Sequence, residues 1–384
     1  MRHQYSLVRI ILAVLIAATL TGCVFAAKPY GKHSLITYVV DWEVPSNIAW
    51  GKIDHAIYSF AEPNSKGQLG SFSASSLSKV IKEAHAHGVG VSLAVGGWTG
   101  SKYFSHLVDS THRAGFVNTL VNTVKHYDLD GINIDWEFPN SADGMACNAR
   151  SSKDTANYYS FLQLLRKKLD QAVKNKKVIL TAATATLPFN DASGNPSKSV
   201  AEFSKVLDYV LIMSYDINGS WNTIAAPNSP LFEPGHGLPG SGSSGVAAWK
   251  KAGFPADRLH LGIPFYGWTT KIKTNVAKTG DFYVPFESPQ IKGDQYDTSS
   301  ADPCKGATAS YSGDMQYRSV VADGILSSKN GWKYFYDKHT ATAWSYNQKK
   351  QQWVTFDDTH SANVKAKWAK QNKLAGVMIW SLEM

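Results

Sequence analysis

Short apolar segments alternate with longer amphipathic segments along most of the chain. Eight apolar segments have the length and the β-branched or aromatic content of buried strands. They lie near residues 35–40, 55–60, 90–95, 131–136, 178–183, 209–214, 259–264 and 376–380. Helical patterns fall between them, for example over 76–87, 112–126, 155–175 and 361–372. The pattern predicts an α/β fold, a (β/α)8 TIM barrel, with a doubly wound open sheet as the alternative.

The regular spacing is interrupted once, between the seventh and eighth predicted strands. About 110 residues intervene, and a stretch of this length is usually functional or a small subdomain. Its central part, 269–346, is rich in aromatic residues and has no clear helical period. We therefore expect a small α+β insertion subdomain over 269–346, within a catalytic barrel over 28–384. It would form one wall of a cleft.

Residues 1–27 have the features of a secretory signal peptide. Arg2 and Arg9 precede an apolar run over 10–20, and small residues follow as far as Ala27. Leu20-Thr21-Gly22-Cys23 also fits a bacterial lipoprotein box, in which Cys23 would carry a lipid. No later segment is apolar for long enough to predict a membrane span. We expect a secreted, extracellular protein.

Removal of the signal peptide would leave two of the three cysteines, Cys147 and Cys304. An oxidising compartment favours a disulfide between them. Two free buried thiols are the alternative.

The composition indicates a folded protein with a large core, since 43% of the 384 residues are hydrophobic and 18% are charged. The net charge of +9 is spread thinly, without a long basic run or a phosphate-binding glycine loop, so no nucleic-acid partner is expected. No HExxH or comparable ligand spacing is present, and we expect neither a metal nor a cofactor. Aromatic residues make up 12% of the chain, which fits core packing or platforms for sugar rings.

The strongest chemical signal is the sequence Asp130-Gly131-Ile132-Asn133-Ile134-Asp135-Trp136-Glu137, at the end of the fourth predicted strand. Side chains alternate along a strand, so Asn133, Asp135 and Glu137 should point to one face. Two carboxylates held this close rarely both ionise, and one of them would keep a proton near neutral pH. That is the requirement for a general acid.

This segment resembles the DxxDxDxE signature of the family 18 glycoside hydrolases, the chitinase family. Asp130, Asp135 and Glu137 match the signature, whereas Asn133 stands where the family usually has Asp. The resemblance runs from about residue 34 to the end. It includes Leu93-Ala94-Val95-Gly96-Gly97-Trp98, Met213-Ser214-Tyr215-Asp216, Gly262-Ile263-Pro264-Phe265-Tyr266-Gly267, Phe356-Asp357-Asp358 and Gly376-Val377-Met378-Ile379-Trp380.

The resemblance implies substrate-assisted hydrolysis with retention, through an oxazolinium intermediate. Glu137 would be the general acid and base, Asp135 would hold the acetamido N–H, and Tyr215 would hold the acetamido oxygen. The substrate-binding residues that it implies are Asn133, Asp216, Met213, Trp98, Trp380 and Gly97, with Phe60 and Tyr38 as weaker candidates. Trp98 and Trp380 would be platforms for sugar rings, whereas Trp42, Trp221 and Trp268 are expected in the core.

The expected function is that of an endo-type chitinase, with chitin and chitooligosaccharides as its partners. We expect the protein to be a monomer. One alternative is an endo-β-N-acetylglucosaminidase that acts on glycans. The other is an inactive chitin-binding lectin, which the presence of Glu137 disfavours.

Overall fold

Eight parallel strands close into a barrel in the computed structural model, which describes residues 33–384. These residues form the strands β1 (Ser34–Val40), β2 (His55–Pro63), β3 (Leu69–Gly70), β4 (Gly90–Gly96), β5 (Gly131–Asp135), β6 (Ile179–Thr184), β7 (Tyr209–Ile212), β8 (Leu259–Pro264), β9 (Tyr266–Lys271), β10 (Asp314–Gln316), β11 (Trp332–Asp337), β12 (Thr342–Asn347), β13 (Gln352–Phe356) and β14 (Gly376–Trp380). The predicted signal peptide, 1–27 with Cys23, lies outside the described residues.

The barrel is closed by the pairing of β1 with β2 on one side and with β14 on the other. From β1 the order continues through β14, β8, β7, β6, β5, β4 and β2, and every neighbouring pair is parallel. The eight strands are those that the hydrophobic pattern predicts. The (β/α)8 prediction is therefore confirmed, and the open-sheet alternative is wrong.

Helices surround the barrel and also occur in the segment between β8 and β14. They are α1 (Ala74–Ala86), α2 (Gly97–Gly100), α3 (Phe104–Leu107), α4 (Arg113–Tyr127), α5 (Asp154–Ala172), α6 (Gly242–Lys251), α7 (Val276–Thr279), α8 (Tyr317–Ala322) and α9 (Thr359–Gln371). Side-chain caps fix several of their starts: Ser73 accepts the N–H of Ser76, and Ser241 and Asp358 each form a capping box. Within residues 33–384, no helix is long and apolar enough to cross a membrane.

Side chains alternate between the two faces of each strand, and this divides the core into an outer and an inner layer. On β5, Ile132 and Ile134 belong to the large apolar cluster that includes side chains of the helices. Asn133 and Asp135 point the other way and are buried inside the barrel. The polar face of this one strand therefore opens towards the barrel interior.

A second sheet lies between β8 and β14 in the chain. It is antiparallel, with the order β10-β9-β13-β12-β11. Its strands begin at Tyr266 and end at Phe356, so the sheet includes residues on both sides of the predicted range 269–346. It has its own apolar clusters, built around the side chains of Trp344 and Val354.

A buried ion pair joins α9 to the end of this second sheet. The Nζ of Lys365 lies 2.6 Å from Asp357 Oδ2 and donates to Ser229 Oγ at 2.8 Å. Both charged side chains are almost fully buried, at 2% and 3% exposed. Burial raises the pKa of Asp357 and lowers that of Lys365. The charge of each partner opposes the shift of the other and so favours the ionised pair.

We expect Lys365→Met to lower the free energy of unfolding by about 3–5 kcal/mol, because it leaves the Asp357 carboxylate buried without its counter-charge. Lys367→Met, on the exposed face of the same helix, should change it by less than about 0.5 kcal/mol. Chemical denaturation at pH 7 measures both. Equal effects would show that the buried pair does not stabilise the fold.

Candidate active site

The polar face of β5 reaches the mouth of the barrel, where parallel strands end and active sites of this fold form. Asn133 is the deepest of its three polar side chains and has no exposed surface. It accepts from Tyr38 Oη at 3.0 Å and donates to Thr181 Oγ1 at 2.8 Å. As a neutral amide, it links three strands without adding a charge. Tyr38 and Asn133, both predicted site residues, thus contact each other inside the barrel.

Asp135 lies one step nearer the mouth and is 3% exposed. Its Oδ1 is buried and accepts no hydrogen bond from any described residue. Burial raises the pKa of this carboxyl to about 7. A buried acceptor without a hydrogen-bond partner costs free energy. Asp135 is therefore suited to accept a hydrogen bond from a bound molecule.

Glu137 follows two residues later, and its backbone is held on both sides. Its N–H donates to Ser101 Oγ at 2.8 Å, and its carbonyl oxygen accepts from Asn148 Nδ2 at 2.8 Å. Burial raises the pKa of its carboxyl well above the usual range, and the charges of Asp135 and Asp216 add to the effect. Both effects favour the protonated form of the Glu137 carboxyl.

Asp216 comes from the loop after β7 and completes a group of three carboxyls. Its φ of 52° is left-handed, and its N–H donates to Asn228 Oδ1 at 2.8 Å, which fixes this turn. The carboxylate accepts from Tyr266 Oη at 2.6 Å and from Trp268 Nε1 at 3.1 Å. The residue faces the open cleft, yet desolvation by the surrounding protein raises its pKa to about 6. The two hydrogen bonds lower the pKa and offset part of this effect.

Tyr215 lies beside Asp216 and is buried at the floor of the cleft. Its hydroxyl is 3.8 Å from Met378 Sδ, a weak acceptor that leaves the hydroxyl available to a stronger one. Gly262 on β8 makes room for the ring, since a Cβ there would lie 2.9 Å from Tyr215 Cε1. Met213 packs nearby in the barrel cluster and is partly exposed.

Aromatic rings surround the mouth. The ring centroid of Trp380 lies 5.1 Å from that of Tyr38, 5.4 Å from that of Phe60 and 6.5 Å from that of Trp42. Gly97 has a φ of 78°, and a Cβ there would lie 3.0 Å from the Phe60 ring. The glycine therefore allows the end of β4 to approach the aromatic group.

Trp98 is 41% exposed, and its Nε1 donates to Asp302 Oδ1 at 2.9 Å. Trp42 and Trp221 are also exposed, at 63% and 58%. The expectation that these two lie in the core is wrong: the Trp42 ring lies beside Trp380 and the Trp221 ring beside Trp268, and the other faces of both rings remain exposed. Trp268 is half-buried and donates to Asp216, so its indole N–H has a polar role that the sequence did not reveal.

Asp130 has no place in the site, although it begins the motif. It accepts from His85 Nε2 at 2.7 Å, from the N–H of Val91 at 2.8 Å and from Lys176 Nζ at 2.9 Å. These bonds lower its pKa to about 2 despite its burial. Asp130 thus ties strands β4 and β5 to their surroundings at the other end of the barrel.

Cys147 and Cys304 are joined by a disulfide. Within residues 33–384, one group of potential metal ligands has its ligating atoms within 4.8 Å of one another: His106, Asp109 and His112. Asp109 Oδ1 accepts from the N–H of His112 and lies 2.9 Å from its Nδ1, so hydrogen bonding at the start of α4 accounts for the cluster.

Comparison with known proteins identifies the family of the chain. The model of the glycosyl hydrolases family 18 matches residues 34–384. The chain belongs to this family.

Named relatives of this family 18 chain include both enzymes and proteins called chitinase-like. A chitinase-like effector of Moniliophthora perniciosa is 38% identical over 354 residues, which cover 88% of this chain and 80% of that protein. Chitinase A1 of Niallia circulans is 31% identical over 303 residues, or 76% of this chain and 40% of that one. The crystal structure of a chitinase from Rhizomucor miehei has a TM-score of 0.88 and 44% identity, covering 91% of this chain and 95% of that one.

The raised pKa of Glu137 predicts a pH dependence of stability, which can be measured without a substrate. The folded protein keeps this proton at pH values where the unfolded chain has lost it, so the contribution to stability is present at low pH and is lost as the pH rises. Glu137→Gln removes this titration. Between about pH 5 and pH 8, its free energy of unfolding should fall less than that of the unchanged protein, by up to about 1.4 kcal/mol per pH unit.

Urea unfolding at the two pH values measures the difference. Glu202→Gln, at an exposed glutamate, is the matched control and should leave the pH dependence unchanged. The same pH dependence in the Glu137 variant and the unchanged protein would contradict the raised pKa.

Proposed function

We propose that this family 18 glycosyl hydrolase is a secreted, endo-type chitinase that hydrolyses β-1,4 linkages between N-acetylglucosamine units with retention. The observation that carries the proposal is the position of Glu137. Desolvation and the neighbouring charges of Asp135 and Asp216 raise its pKa, and its backbone is held by Ser101 and Asn148. A carboxyl that is protonated near neutral pH is suited to protonate a leaving oxygen.

The other half of the chemistry comes from the substrate. The second carboxyl of an ordinary retaining site would lie across the scissile bond, but Asp135 and Glu137 come from one strand and lie on one wall. The carbonyl oxygen of the 2-acetamido group would therefore attack the anomeric carbon, while Glu137 gives its proton to the departing glycosidic oxygen. A positive oxazolinium ion and a free chain end result.

Asp135 and Tyr215 would hold the acetamido group for this attack. The unpartnered Oδ1 of Asp135 would accept the acetamido N–H, and its negative charge would stabilise the oxazolinium ion. The Tyr215 hydroxyl, which lies 3.8 Å from the weak acceptor Met378 Sδ, would donate to the acetamido oxygen. In the second step, the Glu137 carboxylate would take a proton from water as the water attacks the anomeric carbon and opens the oxazolinium ring.

The remaining predicted residues would bind the sugar chain. Asp216, fixed by Tyr266 and Trp268, would accept from a sugar hydroxyl, with Met213 beside it on the cleft floor. Trp380, supported by Phe60 and Tyr38, would lie under the sugar at the cleavage point. Trp98, next to Gly97, would lie under the next sugar on the leaving-group side. Asn133 would act from below, by holding Tyr38 and limiting the charge around Asp135.

A second candidate is a protein that binds chitin without cleaving it. The name of the Moniliophthora perniciosa relative, a chitinase-like effector, is the observation that favours it. The presence of Glu137, Asp135, Tyr215 and Asp216 together favours the enzyme.

Product analysis with a soluble N-acetylglucosamine hexamer and its fully deacetylated counterpart separates these candidates. We expect cleavage of the acetylated chain alone, with products that first appear as the β-anomer, because the acetamido oxygen is the nucleophile. Glu137→Gln should lower the rate by about 100-fold to 10,000-fold, whereas the control Glu202→Gln should not change it.

Binding of the acetylated hexamer by the unchanged protein, without cleavage, would contradict the proposal and support the second candidate. Cleavage of the deacetylated chain at a similar rate would contradict the substrate-assisted mechanism.

A further inference from the structure

A pocket with an aromatic wall lies at the edge of the second sheet; we call it the edge pocket. Its volume is about 440 Å³, which is within the range of small-molecule sites. It is formed by the loop after β7, the segment after α7, and strands β11 and β12. The residues that line it include His236, Asp281, Tyr283, Phe335 and Asp337. None of the residues assigned to the active site above is among them.

The wall consists of two stacks of rings. In the first, the ring centroid of Tyr283 lies 4.0 Å from that of His236 and 4.4 Å from that of Phe282. In the second, Phe335 stacks on Trp344, with centroids 4.1 Å apart and ring planes at 12°. The buried rings of Phe282 and Trp344 join the two stacks, with centroids 5.1 Å apart. The partly exposed ring of Phe335 is thus held from behind as a flat platform.

The edge pocket also carries negative charge without a counter-charge. The Asp281 carboxylate accepts from the N–H of Tyr283 at 2.9 Å. The Asp337 carboxylate accepts from the N–H of His339 at 2.9 Å and from Thr340 Oγ1 at 2.5 Å. All three donors are neutral, and among the described residues no lysine or arginine lines the pocket. A positively charged ligand would therefore complement it.

The hydroxyl of Tyr283 shows that both carboxylates act on one point of the pocket. Burial raises the pKa of this hydroxyl, and the charges of Asp337 and Asp281 raise it further. The hydroxyl is buried and has no hydrogen-bond partner among the described residues, which costs free energy. A phenol and two carboxylates thus meet beside the aromatic wall. This set of groups suits a ligand that carries both hydroxyl and ammonium groups on an apolar ring.

The edge pocket and the cleft lie on one face of the second sheet but are separate. Trp268, at the cleft, is paired with Thr355, and Thr355 is paired with Trp344. Trp344 is paired in turn with Phe335, and directly paired residues have their side chains on the same face. Phe335 lies three strands from Trp268, or roughly 14 Å at the usual strand spacing. The buried apolar cluster around Trp344 lies between them.

We propose that the edge pocket is a second saccharide site, which binds glucosamine units of partly deacetylated chitin and holds the polymer beside the catalytic cleft. The apolar face of the sugar ring would lie on Phe335, and the ammonium group would lie near Asp281 and Asp337. An acetylated unit has the ring but not the charge, so it would bind more weakly here. The proposal takes only the identity of the polymer from the proposed function, in which the cleft itself requires acetylated units.

Calorimetric titration of the Glu137→Gln variant with a glucosamine hexamer tests the edge pocket without hydrolysis. The titration is done at about pH 5.5, where the amines of the ligand are protonated, and is repeated with the cleft saturated by the N-acetylglucosamine hexamer. We expect the two dissociation constants to agree within about twofold, because the two sites are separate. A lysine hexamer, which has the amines but no sugar rings, should bind at least about tenfold more weakly than the glucosamine hexamer.

Two variants of the edge pocket remove its charge and its platform in turn. The double variant Asp281→Asn and Asp337→Asn removes the charge and keeps oxygen acceptors for the existing hydrogen bonds. Phe335→Leu removes the flat ring and keeps an apolar side chain. Each should weaken binding of the glucosamine hexamer at least about tenfold. Asp323→Asn, at an exposed aspartate between β10 and β11 that does not line the pocket, is the matched control and should bind as before.

Unchanged binding of the glucosamine hexamer by both pocket variants would overturn the proposal. Its displacement by the acetylated hexamer would also overturn it, because the shared site would then be the cleft. Equally tight binding of the lysine hexamer would overturn the recognition of a sugar ring. With Glu137 kept, both pocket variants should hydrolyse the acetylated hexamer at the unchanged rate, which shows that they are folded. Failure of the unchanged protein to cleave that hexamer would contradict the proposed function alone, since the pocket variants test the second site directly.

Discussion

The placement of three carboxyl groups at the mouth of one barrel is the constraint on which the rest of the site depends. Ionised carboxylates lose hydration when they are buried, and their charges repel one another, so the free energy of the site is lowest when a proton is retained. The raised pKa values of Asp135, Glu137 and Asp216 all have burial as their largest cause. The raised pKa of Glu137 is thus a consequence of where the strand ends place these side chains.

Neighbouring groups determine which carboxyl is held ionised and which is left free to accept a hydrogen bond from a ligand. Asp216 receives two hydrogen bonds, from Tyr266 and Trp268, which favour its ionised form and offset part of the burial. Asp135 receives none on Oδ1, so its capacity as an acceptor remains free for a ligand. Below them, an amide at Asn133 takes the place that the family usually gives to a carboxyl. The neutral side chain removes one repulsive charge and still joins Tyr38 to Thr181.

The sequence predicts the barrel well because each strand is marked by its own local pattern of apolar residues. It also predicts that Asp135 and Glu137 share a face, since that follows from the alternation of a single strand. Properties that depend on two distant segments are not accessible in this way. The exposure of Trp42 and the hydrogen bond from Trp268 to Asp216 depend on how loops meet at the barrel mouth, and no period or spacing records this.

The proposed chemistry depends on a proton that burial retains on Glu137 near neutral pH. The most direct measurement is infrared difference spectroscopy of protein labelled with carbon-13 in the glutamate carboxyl groups, at about pH 6.5, comparing the unchanged protein with Glu137→Gln. The account predicts a band of a protonated carboxyl that is present in the unchanged protein and missing in the variant. A spectrum in which the only difference is the loss of an ionised carboxylate would contradict it.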